Sequence, residues 1–255
     1  MCGRYTLYCS AAVADRFGGV VPSGLTPRFN IAPSQRVLAI RQQTAESDRE
    51  LVSLSWGLVP FWAADPAIGN RLINARAETA ATKPSFRRAF KTQRCLIVAD
   101  GFYEWQADGH RRQPWYFQLA NGQPFSFAGL WERWDKAGTT IESCTVLTCS
   151  ANQLMQPIHD RMPVILPAEH EATWLDPAEH DTARLSKLLK PFPAAAVTAQ
   201  RVGDLVNSPR HETPACIEPL LASDMRIAVQ RRLWCPAVAT SATGRFSRPM
   251  PHPAR

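Results

Sequence analysis

The sequence has no apolar run long enough to span a bilayer. Its first residues, MCGRYTLYCSAAVADRFGG, lack the basic stretch and apolar core of a secretory signal. Membrane insertion is thereby set aside, and a cytoplasmic location is expected. No C-x-x-C pair occurs, although there are seven cysteines: Cys2, Cys9, Cys95, Cys144, Cys149, Cys216 and Cys235. Their odd number and irregular spacing argue against a disulfide framework and a structural zinc site. Most read as small buried thiols. No repeat of solenoid period is present. What remains is a chain of 255 residues, 45% hydrophobic and 20% charged, enough for one substantial core and at most two.

The formal charge is +7, which tempts a nucleic-acid reading. From Ala222 onward, however, six Arg stand against one acidic residue, Asp224, so the tail carries +5 and the remainder only +2. Such a tail attracts phosphate without specificity or is a solvated extension. Charge alone does not establish DNA binding.

Residues 11–18 read as a short helix ending at Gly18 and Gly19. The stretch onward to about Ser34 reads as loop. Period-two patterns predict strands at Arg36–Arg41, Glu50–Leu58, Arg94–Ala99, Gly101–Gln106, Pro114–Leu119, Pro124–Leu130, Ser143–Thr148 and Val164–Leu166. Asp108-Gly109 signals a hairpin. Residues between Val59 and Thr79 read as an aromatic, Pro- and Gly-containing loop. Helices are expected at Ala168–Trp174 and at Thr182–Leu189, the latter stopping before Pro191. The fold class is α+β: a single domain over residues 1–221 on a mainly antiparallel, barrel-like β-sheet with a few flanking helices. The basic 222–255 tail is expected to be largely disordered.

The chemistry begins at Cys2. An initiator Met is commonly removed when the second residue is small. The product would carry an α-amine and a thiol on adjacent carbons, with ordinary pKa values of about 8 and about 8.5. The amine condenses with an aldehyde to an imine. The neighbouring thiol then closes on the imine carbon to give a five-membered thiazolidine, favoured because closure is intramolecular. Taken alone, Cys2 reads better as an incidental small residue at a frayed terminus.

Its company is more informative. MCGRY, RFNIAPSQ, SWGLVPFW, LINARAET, CLIVADGFYEW, LTCSAN and IHDRMPVIL follow one another in order, with HETPACIEP near the end. Together they resemble the SRAP family, the SOS response-associated peptidases, also described as abasic-site processing proteins. The resemblance runs from residue 1 to about 220. It implies that Cys2 is the nucleophile at the mature terminus, with Asn74, Glu104 and His159 as its catalytic companions. It also implies a partner, single-stranded DNA containing abasic sites, with nucleoid association on binding. A monomer without cofactor or metal is expected.

The residue types suit that chemistry. Imine formation needs proton transfers, which a carboxyl of raised pKa performs near neutrality. Glu104 would have such a pKa if it points inward; as a surface carboxylate on a strand edge it would not. His159 suits opening of the sugar hemiacetal, or is a histidine bonded to Asp160 or backbone. Asn74 holds the Cys2 amine or the sugar, or forms a turn. For DNA, Arg4, Arg76 and Arg161 are the phosphate contacts implied. Pro33, Phe61 and Trp62 belong to loops that wedge against or stack on bases; Ala63 stands where some members have a second Trp. Thr148, read at a strand end, is a minor backbone contact.

The implied activity is covalent trapping of an abasic aldehyde, with cleavage of the chain's own Met1–Cys2 bond and a β-elimination lyase side activity. Two other classes stay open: a non-covalent single-stranded DNA-binding module, and a thiol hydrolase built on Cys2, His159 and Asn74.

Overall fold

The computed structural model describes residues 2–17, 25–109, 111–136 and 138–220. The expected helix stop at Gly18–Gly19 and the basic 222–255 tail lie outside the described residues. In chain order the elements are β1 (Tyr5–Leu7), α1 (Ser10–Phe17), β2 (Arg28–Ile31), β3 (Arg36–Arg41), β4 (Glu50–Trp56), β5 (Asn74–Arg76), α2 (Ala77–Ala80), α3 (Arg87–Thr92), β6 (Arg94–Ala99), β7 (Gly101–Asp108), β8 (Arg111–Leu119), β9 (Phe125–Lys136), β10 (Thr139–Ser150), β11 (Arg161–Pro163), β12 (Ile165–Leu166), α4 (Ala168–Leu175), α5 (Thr182–Leu188) and β13 (Val197–Arg201).

One sheet runs β13-β8-β7-β1-β2. In the other, β9 pairs with β6 on one edge and with β10 on its other edge. The ring β10-β4-β3-β6-β9 is thereby closed, which leaves no free edge between its strands. The architecture is the expected α+β fold, a five-stranded barrel joined to an antiparallel sheet. Pairing is antiparallel except where β10 meets β4 and β5. The β7–β8 hairpin turns at Gly109, whose φ of 57° suits a residue without a Cβ.

Aromatic side chains join the two sheets. Phe102 stacks on Phe117 at 5.0 Å and meets Phe127 edge-on at 5.9 Å; Tyr5 meets Trp56 at 5.4 Å. Such offset and edge-on pairs add to what burial alone contributes. Asp100 pins the end of β1: its carboxylate accepts from Thr6 Oγ1 and the Tyr8 amide, both at 2.5 Å, and from the Cys9 amide at 3.0 Å. Burial pushes that carboxyl up to about 6. The first strand is thus fixed where it matters for the residues before it.

The structure departs from the sequence reading in particular places. The strands read as Pro124–Leu130 and Ser143–Thr148 are each twelve residues long, Phe125–Lys136 and Thr139–Ser150. Buried Glu132 obscured the alternation there. The stretch read as loop before Ser34 contains β2, and the 59–79 loop contains a 3-10 turn over Pro66–Arg71, β5 and α2. Among the described residues no helix is long and apolar enough to cross a membrane.

Candidate active site

β1 pairs antiparallel with β7 as Tyr5 opposite Phe102 and Thr6 opposite Gly101. The Tyr103 amide continues the ladder by donating to the Arg4 carbonyl at 3.0 Å. Carried further, this register brings Gly3 and Cys2 beside Glu104 and Trp105. From the other side, Asn74 at the start of β5 donates its Nδ2 to the Cys2 carbonyl at 2.8 Å. Cys2 is fully buried, and its thiol points to the Arg4 carbonyl at 3.8 Å. Burial, then the charge of Glu104, pushes the Cys2 thiol far up; the positive chain terminus opposes them. The thiol is held protonated, unlike the activated thiolate of a cysteine hydrolase.

Glu104 sits in the middle of β7, opposite Trp115 of β8, and is only 2% exposed. Tyr103 is buried with its hydroxyl donating to the Phe29 carbonyl at 2.6 Å, and Trp105 donates to Asn207 Oδ1 at 2.7 Å. Burial raises the Glu104 carboxyl to about 7, against the lowering effects of the positive amino terminus and the Trp105 amide. The carboxyl therefore exchanges its proton at neutral pH.

His159 closes the site from the loop before β11. Its amide donates to Met155 O at 2.9 Å, and Gln106 of β7 straps the loop by donating to Pro157 O at 3.1 Å. His159 Nδ1 accepts the Arg161 amide at 2.9 Å, while Asp160 Oδ1 lies 3.0 Å from the same nitrogen. A contact to Asp160 would need a proton on Nδ1. The backbone donor is fixed, whereas Asp160 is 87% exposed and screened by solvent. The amide therefore sets the tautomer: Nδ1 accepts, and Nε2 carries the proton of a neutral ring. Burial lowers the His159 pKa, as does the charge of the amino terminus. Cys2, Asn74, Glu104 and His159, scattered over 158 residues of sequence, converge on the start of the chain.

Of the residues expected to meet DNA, Arg76 and the loop carrying Phe61 and Trp62 lie along one edge of β10, while Arg161 stands on β11 at its other edge. The former edge pairs first with Ser55 and Trp56 of β4, at Ser143 and Cys144, and then with β5, at Val146–Thr148. Between β4 and β5 the chain leaves and returns as a loop. Gly57 and Gly69 pinch its neck: a Cβ on either would come within 2.7 Å of the other's carbonyl oxygen, and Gly57 has φ 136°. At the tip Phe61 is 44% and Trp62 45% exposed. Val59 is tied to Ser143 Oγ at 2.8 Å. Since Ser143 and Val146 are three residues apart, the aromatic tip begins about 10 Å along β10 from the Asn74–Cys2 contact.

Arg76 is exposed on β5. Pro33 is half-buried in the turn before Ser34, whose φ is 71°. Arg4 donates to the Gly3 carbonyl at 2.8 Å, and burial lowers its pKa. Arg161 directs its fork to Glu78 at 2.8 and 2.9 Å and donates to the Thr148 carbonyl. Glu78 was missed in the sequence, although it stands two residues after Arg76 in the same motif. Thr148 requires correction. It is not a strand-end residue but a central one, paired to Arg76 on one side and Pro163 on the other. It is fully buried; its hydroxyl donates to the Ala75 carbonyl at 3.4 Å and accepts from Arg161 at 3.3 Å. Among the described residues no group of three His, Cys, Asp or Glu is arranged to hold a metal.

Comparison with known proteins gives a consistent answer. Residues 1–209 match the family described as SOS response associated peptidase (SRAP). The chain is 43% identical over 224 residues to the abasic site processing protein YoqW of Bacillus subtilis, covering 86% of this chain and 99% of that protein. It is 32% identical to YedK of Escherichia coli, also named an abasic site processing protein, covering 69% of this chain and 79% of that one. A crystal structure of a Bacteroides thetaiotaomicron protein, 30% identical, superposes with a TM-score of 0.77 over 86% of this chain and 100% of that one.

Proposed function

This chain belongs to the SOS response associated peptidase (SRAP) family, and on that premise we propose that it captures abasic sites in single-stranded DNA through a thiazolidine formed by Cys2. The observation that carries the reading is the placement of Cys2: Asn74 grips its carbonyl at 2.8 Å, beside a buried carboxyl raised to about 7. The relatives named abasic site processing proteins supply the substrate class.

The reaction begins with hydrolysis of the Met1–Cys2 peptide bond, which consumes water and frees the Cys2 amine. His159 exchanges a proton with the sugar as the hemiacetal opens to its C1′ aldehyde. The amine adds to C1′ to give a carbinolamine. Glu104 protonates the departing hydroxyl, water leaves, and an imine remains. The thiol sulfur then adds to C1′ while its proton passes to nitrogen, closing the ring. Ring closure shields the imine from both hydrolysis and β-elimination, so strand cleavage is a side reaction. The raised thiol pKa supports this order, amine first and thiol second, over a thiolate hydrolase. The role is protection of a damaged strand in the cytoplasm during the DNA-damage response.

The test is a denaturing gel of purified protein mixed with single-stranded DNA carrying one abasic site. A band resistant to denaturation is expected with that strand and not with an intact one, and intact mass should show Met1 gone. Binding without a resistant band would instead identify a non-covalent module. Ester or peptide turnover without DNA would identify a thiol hydrolase.

The exposed loop tip makes a second expectation. Trp62→Ala should weaken binding to intact single-stranded DNA by about 1–3 kcal/mol, the worth of one stacked base. Its thermal stability should stay close to that of the parent, because Trp62 is half in solvent. Fluorescence anisotropy with a labelled strand measures the loss; an unchanged Kd removes Trp62 from the DNA track.

A further inference from the structure

Three side chains from the outer half of β9 hold the aromatic loop. Trp134 Nε1 donates to the Ala63 carbonyl at 2.8 Å, and Lys136 donates to the Trp62 carbonyl at 3.3 Å. A backbone hydrogen bond from Phe61 reaches the carboxylate of Glu132, whose side chain is 3% exposed. The same carboxylate meets Arg88 of α3 at 3.4 Å. The Arg88 guanidinium lies over the Phe61 ring at 4.3 Å from its centroid, yet the side chain is 53% exposed.

This arrangement differs from an ordinary surface arginine. A buried carboxylate and an aromatic face both restrain the guanidinium, so little side-chain freedom is left to lose on binding. One contact at 3.4 Å leaves most of its five donors available. The cation stands over the exposed Phe61 ring, in the loop that also exposes Trp62. Arg133, by contrast, faces outward from β9 and pairs only with Asp135, both more than half exposed.

We propose that Arg88 is a further DNA-contacting residue, binding a backbone phosphate of the strand whose bases stack on Phe61 and Trp62, with buried Glu132 aiming its guanidinium. The inference rests on the reading that this loop meets single-stranded DNA. A phosphate is the ligand because it offers several acceptor oxygens to a planar fork already fixed in direction.

The experiment uses the full chain carrying Cys2→Ala, so that no covalent step intervenes, and an intact labelled oligonucleotide over a salt series. Each phosphate contact to a single strand contributes about 0.7 to the slope of log K against log salt. Arg88→Gln should lower the slope by about 0.7 and weaken binding about three- to tenfold at low salt. Arg88→Lys should keep the slope, and Arg133→Gln should leave both slope and affinity near the parent's. An unchanged slope in Arg88→Gln, or an equal fall in Arg133→Gln, overturns the assignment while leaving the proposed function standing. Absence of binding by the parent itself overturns both.

Discussion

Cys2→Ala and Cys2→Ser are each expected to leave a denaturation-resistant adduct only when borohydride is present. The two variants separate the amine from the thiol. Each retains the α-amine after Met1 removal, because Ala and Ser are also small. Each can therefore form an imine with the opened sugar. A free imine hydrolyses within the time of the assay, and borohydride converts it to a stable secondary amine. The wild-type chain needs no reductant, because its thiol adds intramolecularly to the same carbon, at an effective concentration far above that of any external nucleophile. Both substitutions are nearly isosteric at a fully buried position, so folding should be retained and thermal unfolding checks it. The readout is the fraction of DNA shifted after denaturation, with and without borohydride. Equal durability of the Cys2→Ser and wild-type adducts would remove the thiol from the mechanism. A resistant Cys2→Ala band without reductant would move the reaction to another residue.

Much of the scaffold was legible because it repeats a simple period. β3 and β6 have the predicted bounds, since each is an unbroken run whose interior residues are all apolar. Two of the strands that make the site were not legible, although β7 was. β1 and β5 are three residues each, too short for a period to emerge, and each exists because a longer neighbour pairs with it. Glu132 hid the second half of β9 because a buried acid breaks the pattern; its partners, Arg88 and the Phe61 backbone, are distant in sequence. The strand end read at Thr148 moved to Ser150 for a related reason. Ending the strand at Thr148 made that residue look peripheral, whereas β5 and β11 flank it on both sides. The chemistry-bearing residues were found through the motif resemblance. The Asn74–Cys2 bond and the inward Glu104 are tertiary facts that no local pattern contains.

Glu104→Gln should slow adduct formation by about 10²-fold or more at saturating DNA, the usual contribution of a positioned acid–base group, while changing DNA affinity little. The same substitution should make the protein more stable at alkaline pH. In the unfolded chain this carboxyl ionises near its ordinary value of 4.5, but in the fold only near 7. Between those values the unfolded state gives up the proton and the folded state keeps it, so stability falls as pH rises and the full cost is present above about 7. The difference of about 2.5 between the two values, at 1.36 kcal/mol per unit, sets an upper limit of about 3 kcal/mol for a group 2% exposed. Gln does not titrate. Its stability advantage over the parent should therefore be absent near pH 4 and grow to its maximum by pH 8, which urea denaturation at the two pH values measures. Activity runs the other way. With Glu104 as proton donor, the parent's rate at saturating DNA should decline as pH rises through about 7, and the variant's slower rate should lack that decline. A loss of affinity with an unchanged saturated rate would make Glu104 a binding residue. A pH-independent stability difference would mean that its carboxyl is not strained by burial, and the case for its acid–base role would lose its physical ground.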